Sequence, residues 1–191
     1  MNRRDILKYT ALMTGAALST PLILSLESCK SDTVSNVANQ KRFFFDDDQI
    51  QLVKSLIDII LPKTDSPAAS EVGVHYTIDQ MVGQVYNQED KESYKAKFSA
   101  LSKYLDKTSK GKPYHDLPES ERLQILKTLS QSEEDEYSDP KEGFIALKQQ
   151  TIAYYLNTEE IGTKYLNYLP VPGQYEGCVT LESVGGKAWA I

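Results

Sequence analysis

Cysteine and histidine are scarce in this chain of 191 residues, which holds two of each. No Cys-x-x-Cys-His run occurs, which excludes covalent attachment of a c-type haem. His75 and His115 have no Cys or His close by in sequence, so a surface or capping role is the expectation for both over a metal or catalytic one. There is no Gly-x-Gly-x-x-Gly and no Walker loop, hence no visible nucleotide cradle. Basic charge is also short: 21 Lys and Arg stand against 27 Asp and Glu, a formal net charge of −6. Phosphate backbones need clustered Lys and Arg, so this balance argues against a nucleic-acid partner. Long apolar runs are absent beyond one near the start, and no segment alternates as a run of strands would.

That one apolar run sits in a recognisable setting. Asn2-Arg3-Arg4-Asp5-Ile6-Leu7-Lys8 looks like a twin-arginine export signal, and the apolar stretch 9–26 follows it. The stretch closes on Leu26-Glu27-Ser28-Cys29, which resembles the lipobox cut by lipoprotein signal peptidase. On this reading residues 1–28 are removed, Cys29 is lipidated, and the protein ends on the periplasmic side of a bacterial membrane. The run is long enough to span a bilayer, so an uncleaved anchor is the alternative; Thr14, Gly15, Ser19, Thr20 and Pro21 weaken it as a membrane helix. Arg3 and Arg4 also suit the general secretory route as plain positive charge. Residues 1–28 carry a net charge of +1, so the remainder is near −7. With Cys29 lipidated, Cys178 is left alone, either packed as a buried thiol or bonded to a partner.

Residues 29–42 are polar and aperiodic and read as a flexible tether. The remainder, 43–191, fits a single domain. Apolar residues at Ile50, Val53, Leu56, Ile57, Ile60 and Leu61 have helical spacing, Asp46, Asp47 and Asp48 suit its N-cap and first turn, and Pro62 stops it. The acidic triplet could also be read as a cation site, an explanation that needs more assumptions. Further helices are expected over about 70–86, 90–107, from Pro118, and from near Pro140. The prediction is an all-α bundle of about five helices with an irregular C-terminal arm from about residue 158. Asp79 falls beside an apolar stripe, a place that suits pairing with a buried donor; an acid–base role lacks a second group. No nucleophile–base pair stands out, which weighs against an enzyme in its own right.

The twelve tyrosines are many for this length. Several fall late, and the arm is rich in Tyr, Pro and Gly. Tyrosine and tryptophan bury large area and keep a polar handle, so they suit interfaces, or they close the chain's own core. The candidate interface residues are Tyr165, Tyr168, Pro172, Gly173, Tyr175, Cys178 and Trp189.

The order of certain short motifs carries a resemblance. Arg3-Arg4 comes first, then Ile59-Ile60-Leu61-Pro62, Glu71-Val72-Gly73-Val74 leading to Ile78-Asp79, and Gly111-Lys112-Pro113-Tyr114. Pro170-Val171-Pro172-Gly173-Gln174-Tyr175-Glu176-Gly177-Cys178 closes the series. In that order they resemble the gluconate 2-dehydrogenase subunit 3 family over nearly the whole chain. The resemblance implies an all-α small subunit of a membrane-associated sugar or sugar-acid dehydrogenase. It implies a large subunit that holds FAD, a cytochrome subunit that holds haem c, and no cofactor in this chain. The small subunit would then aid export, stability and membrane attachment. Cys29 and its lipobox depart from the classical member and imply a lipid anchor. The alternative is a stand-alone periplasmic lipoprotein that binds a small ligand between its helices.

Overall fold

The computed structural model describes residues 41–133, 137–171, 173 and 178–190. Contacts divide the chain into two units, Met1–Lys41 and Arg42–Ile191, and every described helix belongs to the second. Among the described residues there are six α-helices and no strand. They are α1 (Asp47–Ile60), α2 (Val74–Gln80), α3 (Gln88–Thr108), α4 (Glu119–Gln131), α5 (Ser138–Leu156) and α6 (Glu159–Lys164). The all-α bundle expected from periodicity is therefore the observed fold, with one helix more than expected.

Local chemistry sets each boundary. Asp46 accepts the Gln49 backbone N–H at 2.8 Å while Gln49 Oε1 accepts the Asp46 N–H at 3.1 Å, a reciprocal capping box that starts α1. Asp47 and Asp48 lie in the first turn, at the positive end of the helix dipole. The helix stops ahead of Pro62, as expected. It buries Ile50, Val53, Leu56 and Ile57. α3 starts at Asn87, whose side chain accepts the Asp90 N–H at 2.9 Å, and it buries Tyr94, Phe98, Leu101 and Leu105 along one face.

The second helix differs from its expected extent. It begins at Val74 rather than near residue 70, because Gly73 takes a left-handed conformation (φ 77°) that ends a run of turns. The Asp58 carboxylate secures those turns, accepting the Ser70 N–H at 2.9 Å and its hydroxyl at 2.7 Å. After Gln80 the helix widens into a π-turn, Met81–Val85, closed by the Tyr86 N–H donating to the Met81 carbonyl at 3.2 Å. The expected arm also begins differently: two turns of helix, α6, follow an extended Thr158 and bury Ile161. Six residues show too little of a 3.6 period to be seen in sequence.

The core lies where α3 packs along α5, with α1 and α2 packed against α5 and each other, and Tyr114, from a short 3-10 turn, filling the side towards α1. Gly143 permits the α3–α5 contact. A Cβ there would come within 3.0 Å of the Lys97 carbonyl carbon and closer still to its oxygen. Gly143→Ala is therefore expected to cost about 1–3 kcal/mol by overpacking, read as a lower urea midpoint. Gly173→Ala, with open space around it, is expected to leave the midpoint where it is.

Candidate functional site

Two features stand apart from ordinary helix packing: the place where the chain enters the fold, and the surface of the C-terminal arm.

Asp79 governs the first. Its side chain is buried, 3 % exposed, on α2. One carboxylate oxygen accepts the Phe44 and Phe45 N–H groups at 3.0 and 2.7 Å, and the other accepts the Phe43 N–H at 2.8 Å. The sequence suggests a buried donor for Asp79 without naming one; the donors are three consecutive backbone amides 34 to 36 residues upstream. Gly83, in the π-turn, gives Phe43 room, since a Cβ would sit 2.8 Å from its carbonyl carbon. Phe45 is buried, with ring centroids 5.0 Å from Phe44 and 4.9 Å from Phe98. Tyr94 extends the cluster and donates its hydroxyl to Gln150, whose amide donates to Tyr86. This arrangement is a latch. Both carboxylate oxygens of Asp79 face backbone donors, so the residue positions the chain rather than a substrate.

His75 corrects the surface or capping role expected of it. It is buried, 4 % exposed, its ring lies 4.0 Å from that of Tyr76, and its Nδ1 is buried without a hydrogen-bond partner. Burial first, then the positive charges of Lys54 and Arg42, lowers its pKa to about 4. His115 is exposed as expected, 3.7 Å from Asp116. Asp46 and Asp47 are committed to the cap and to an ion pair with Arg42 at 2.8 Å. Among the described residues no group of three His, Cys, Asp or Glu side chains could hold a metal ion. Among them, too, no helix is long and apolar enough to cross a membrane.

The arm beyond α6 turns back on itself. Asn167 donates its N–H to the Ala188 carbonyl at 2.7 Å and accepts the Ala190 N–H at 3.0 Å, an isolated parallel bridge between Asn167 and Trp189. The Lys187 ammonium bonds the Lys164 carbonyl at 3.1 Å. The backbone is thus tied to α6, but the side chains are open. Tyr168 is 54 % exposed and Trp189 47 %, and Leu169, Val171, Val179 and Leu181 are exposed with them. Exposed apolar residues gathered in one segment mark an interaction surface more than scattered ones do.

The expected interface residues divide accordingly. Tyr168 and Trp189 are open, Gly173 is exposed and donates its N–H to the Val171 carbonyl at 3.0 Å, and Tyr165 packs partly against the core. Tyr155 is committed to the core and bonds Ser66 and the Pro67 carbonyl, so this late tyrosine helps to close the chain's own core. Cys178 is exposed, not the packed thiol expected of a lone cysteine, because it lies in the open arm. Arg3, Arg4, Cys29, Pro172 and Tyr175 lie outside the described residues.

A family model described as Gluconate 2-dehydrogenase subunit 3 matches residues 47–173. No curated protein and no solved structure matches the chain.

The latch and the buried imidazole each give a measurable expectation. Asp79→Asn keeps the shape but replaces an acceptor by a donor facing N–H groups. A loss of about 2–4 kcal/mol is expected, with amide exchange at 43–45 rising before that of α3 and α5. For His75, the unfolded chain binds one more proton than the folded chain between pH 6.5 and about 4. Stability should therefore fall as pH drops through that window, by up to about 3 kcal/mol, and His75→Phe should flatten the slope in pH-dependent denaturation.

Proposed function

The chain belongs to the gluconate 2-dehydrogenase subunit 3 family, and on that premise we propose that it is a noncatalytic accessory subunit of an exported FAD-dependent sugar or sugar-acid dehydrogenase. The observation that carries the reading is the extent of the family match, which takes in all six helices and the beginning of the arm. The flavoprotein partner holds FAD and performs the oxidation, and a cytochrome subunit with haem c takes the electrons onward. This chain contributes the address and the attachment. Arg3 and Arg4 direct folded export, and Cys29 carries the lipid that holds the assembly at the periplasmic face of the membrane.

The arm supplies the contact with the flavoprotein. Its open Tyr168, Leu181 and Trp189 have the size and polarity of interface anchors. Tyr165, Pro172, Gly173, Tyr175 and Cys178 belong to the same segment. The role is mechanical: apolar side chains left open on the free subunit are covered by the partner, which is stabilised in turn.

The test is gentle purification of the tagged protein from its native membrane. Recovery with a flavoprotein in near-equal amount is expected. Trp189→Ala with Tyr168→Ala should weaken the association by about 2 kcal/mol, roughly thirtyfold in Kd, without lowering the melting temperature of the subunit. Recovery solely as a free monomer, or a monomer that retains a small ligand, would count against this reading.

A further inference from the structure

The segment held by Asp79 forms one wall of a groove of about 430 Å³. Phe43, Phe44 and Phe98 give it an apolar side, and Lys95, Ser99 and Lys103 of α3 give it a polar one. The latter three recur every four residues, so they share a face of the helix over about 12 Å. Neither lysine has an ion-pair or hydrogen-bond partner among the described residues. The chain as a whole has a net charge of −6. Of the three acids that open α1, Asp47 is paired with Arg42 at 2.8 Å, Asp46 accepts the neutral Gln49 N–H in the cap, and Asp48 has no ion pair among the described residues.

The chain upstream bears on where this groove lies. Twelve residues separate Cys29 from Arg42, a reach of at most about 45 Å when fully extended. A lipid on Cys29 therefore keeps Arg42, where the described fold begins, within about 45 Å of the bilayer. We infer that the groove is a membrane-contact site, which takes the phosphate of an anionic phospholipid between Lys95 and Lys103 while Phe43 rests in the interfacial layer. Ammonium groups beside phosphate and an aromatic ring at headgroup depth are the ordinary chemistry of such a contact. The inference rests on Cys29 as the lipid attachment point and extends the proposed function by orienting the body on the membrane.

The test uses the full protein in vesicles doped with a diazirine-bearing phosphatidylglycerol, or with the corresponding phosphatidylcholine. After irradiation, adducts are mapped by peptide mass, and the N-terminal peptide is weighed for lipid on Cys29. Adducts are expected in 43–49 and 95–103 with the anionic probe. They should fall about tenfold in the doubly reversed K95E/K103E variant, whose substitutions lie on exposed side chains. The milder K95Q/K103Q variant should lie between. Adducts confined to the arm, to other helices, or indifferent to headgroup charge would overturn the inference. Lipid on Cys29 without groove adducts defeats the groove and leaves the anchor standing; groove adducts without lipid defeat the anchor and leave the groove standing.

Discussion

Three backbone N–H groups directed at one buried carboxylate determine how this chain enters its fold. Asp79 holds Phe43, Phe44 and Phe45 together, and Asp46, the next residue, is the N-cap of α1. The cap, the aromatic cluster of Phe45 with Tyr94 and Phe98, and the seating of α1 therefore share one anchor. The alternative is costly in two ways. A buried carboxylate without donors carries its full desolvation penalty, and buried amides without an acceptor carry theirs. Together the two groups satisfy each other, and the apolar rings can close over them.

Close approach of backbones is the second constraint, and it follows from the first. The latch can reach Asp79 because the π-turn presents Gly83, not a side chain, to Phe43. The α3–α5 contact depends in the same way on Gly143. Both glycines lie in helical backbone, where glycine is unfavourable by roughly 0.5–1 kcal/mol against alanine. That cost is offset by the packing each one permits, so these are sites where the local rule yields to the tertiary contact.

Helix-scale features are legible in the sequence for a physical reason: they depend on neighbours within four residues. The Asp46 cap, the stop at Pro62 and the stripe of α3 from Tyr94 to Leu105 are all of this kind. What escapes a sequence reading depends on residues far away along the chain. Nothing local says that His75 is buried, although Val74, His75, Ile78 and Asp79 fill two adjacent lanes of α2, and both lanes are covered. Asp79 stands out as a polar residue in an apolar setting, but its donors are backbone groups, which carry no residue-type signal. Cys178 departs from the rule that a lone thiol is packed, because its segment is not.

The arm combines two properties that are rarely useful apart. Its backbone is tied at two places among the described residues, by the bridge between Asn167 and Trp189 and by the Lys187 bond to the end of α6. Its apolar side chains nonetheless remain open to solvent. A loose segment with the same residues would have to be ordered on binding and would lose affinity to that entropy. A segment packed on its own body would have nothing to offer. With Asn167 and Trp189 tied to each other, the neighbouring Tyr168 and Trp189 side chains stay exposed on held backbone, so covering them would need less ordering. That is the physical case for the proposal that the arm is a contact surface.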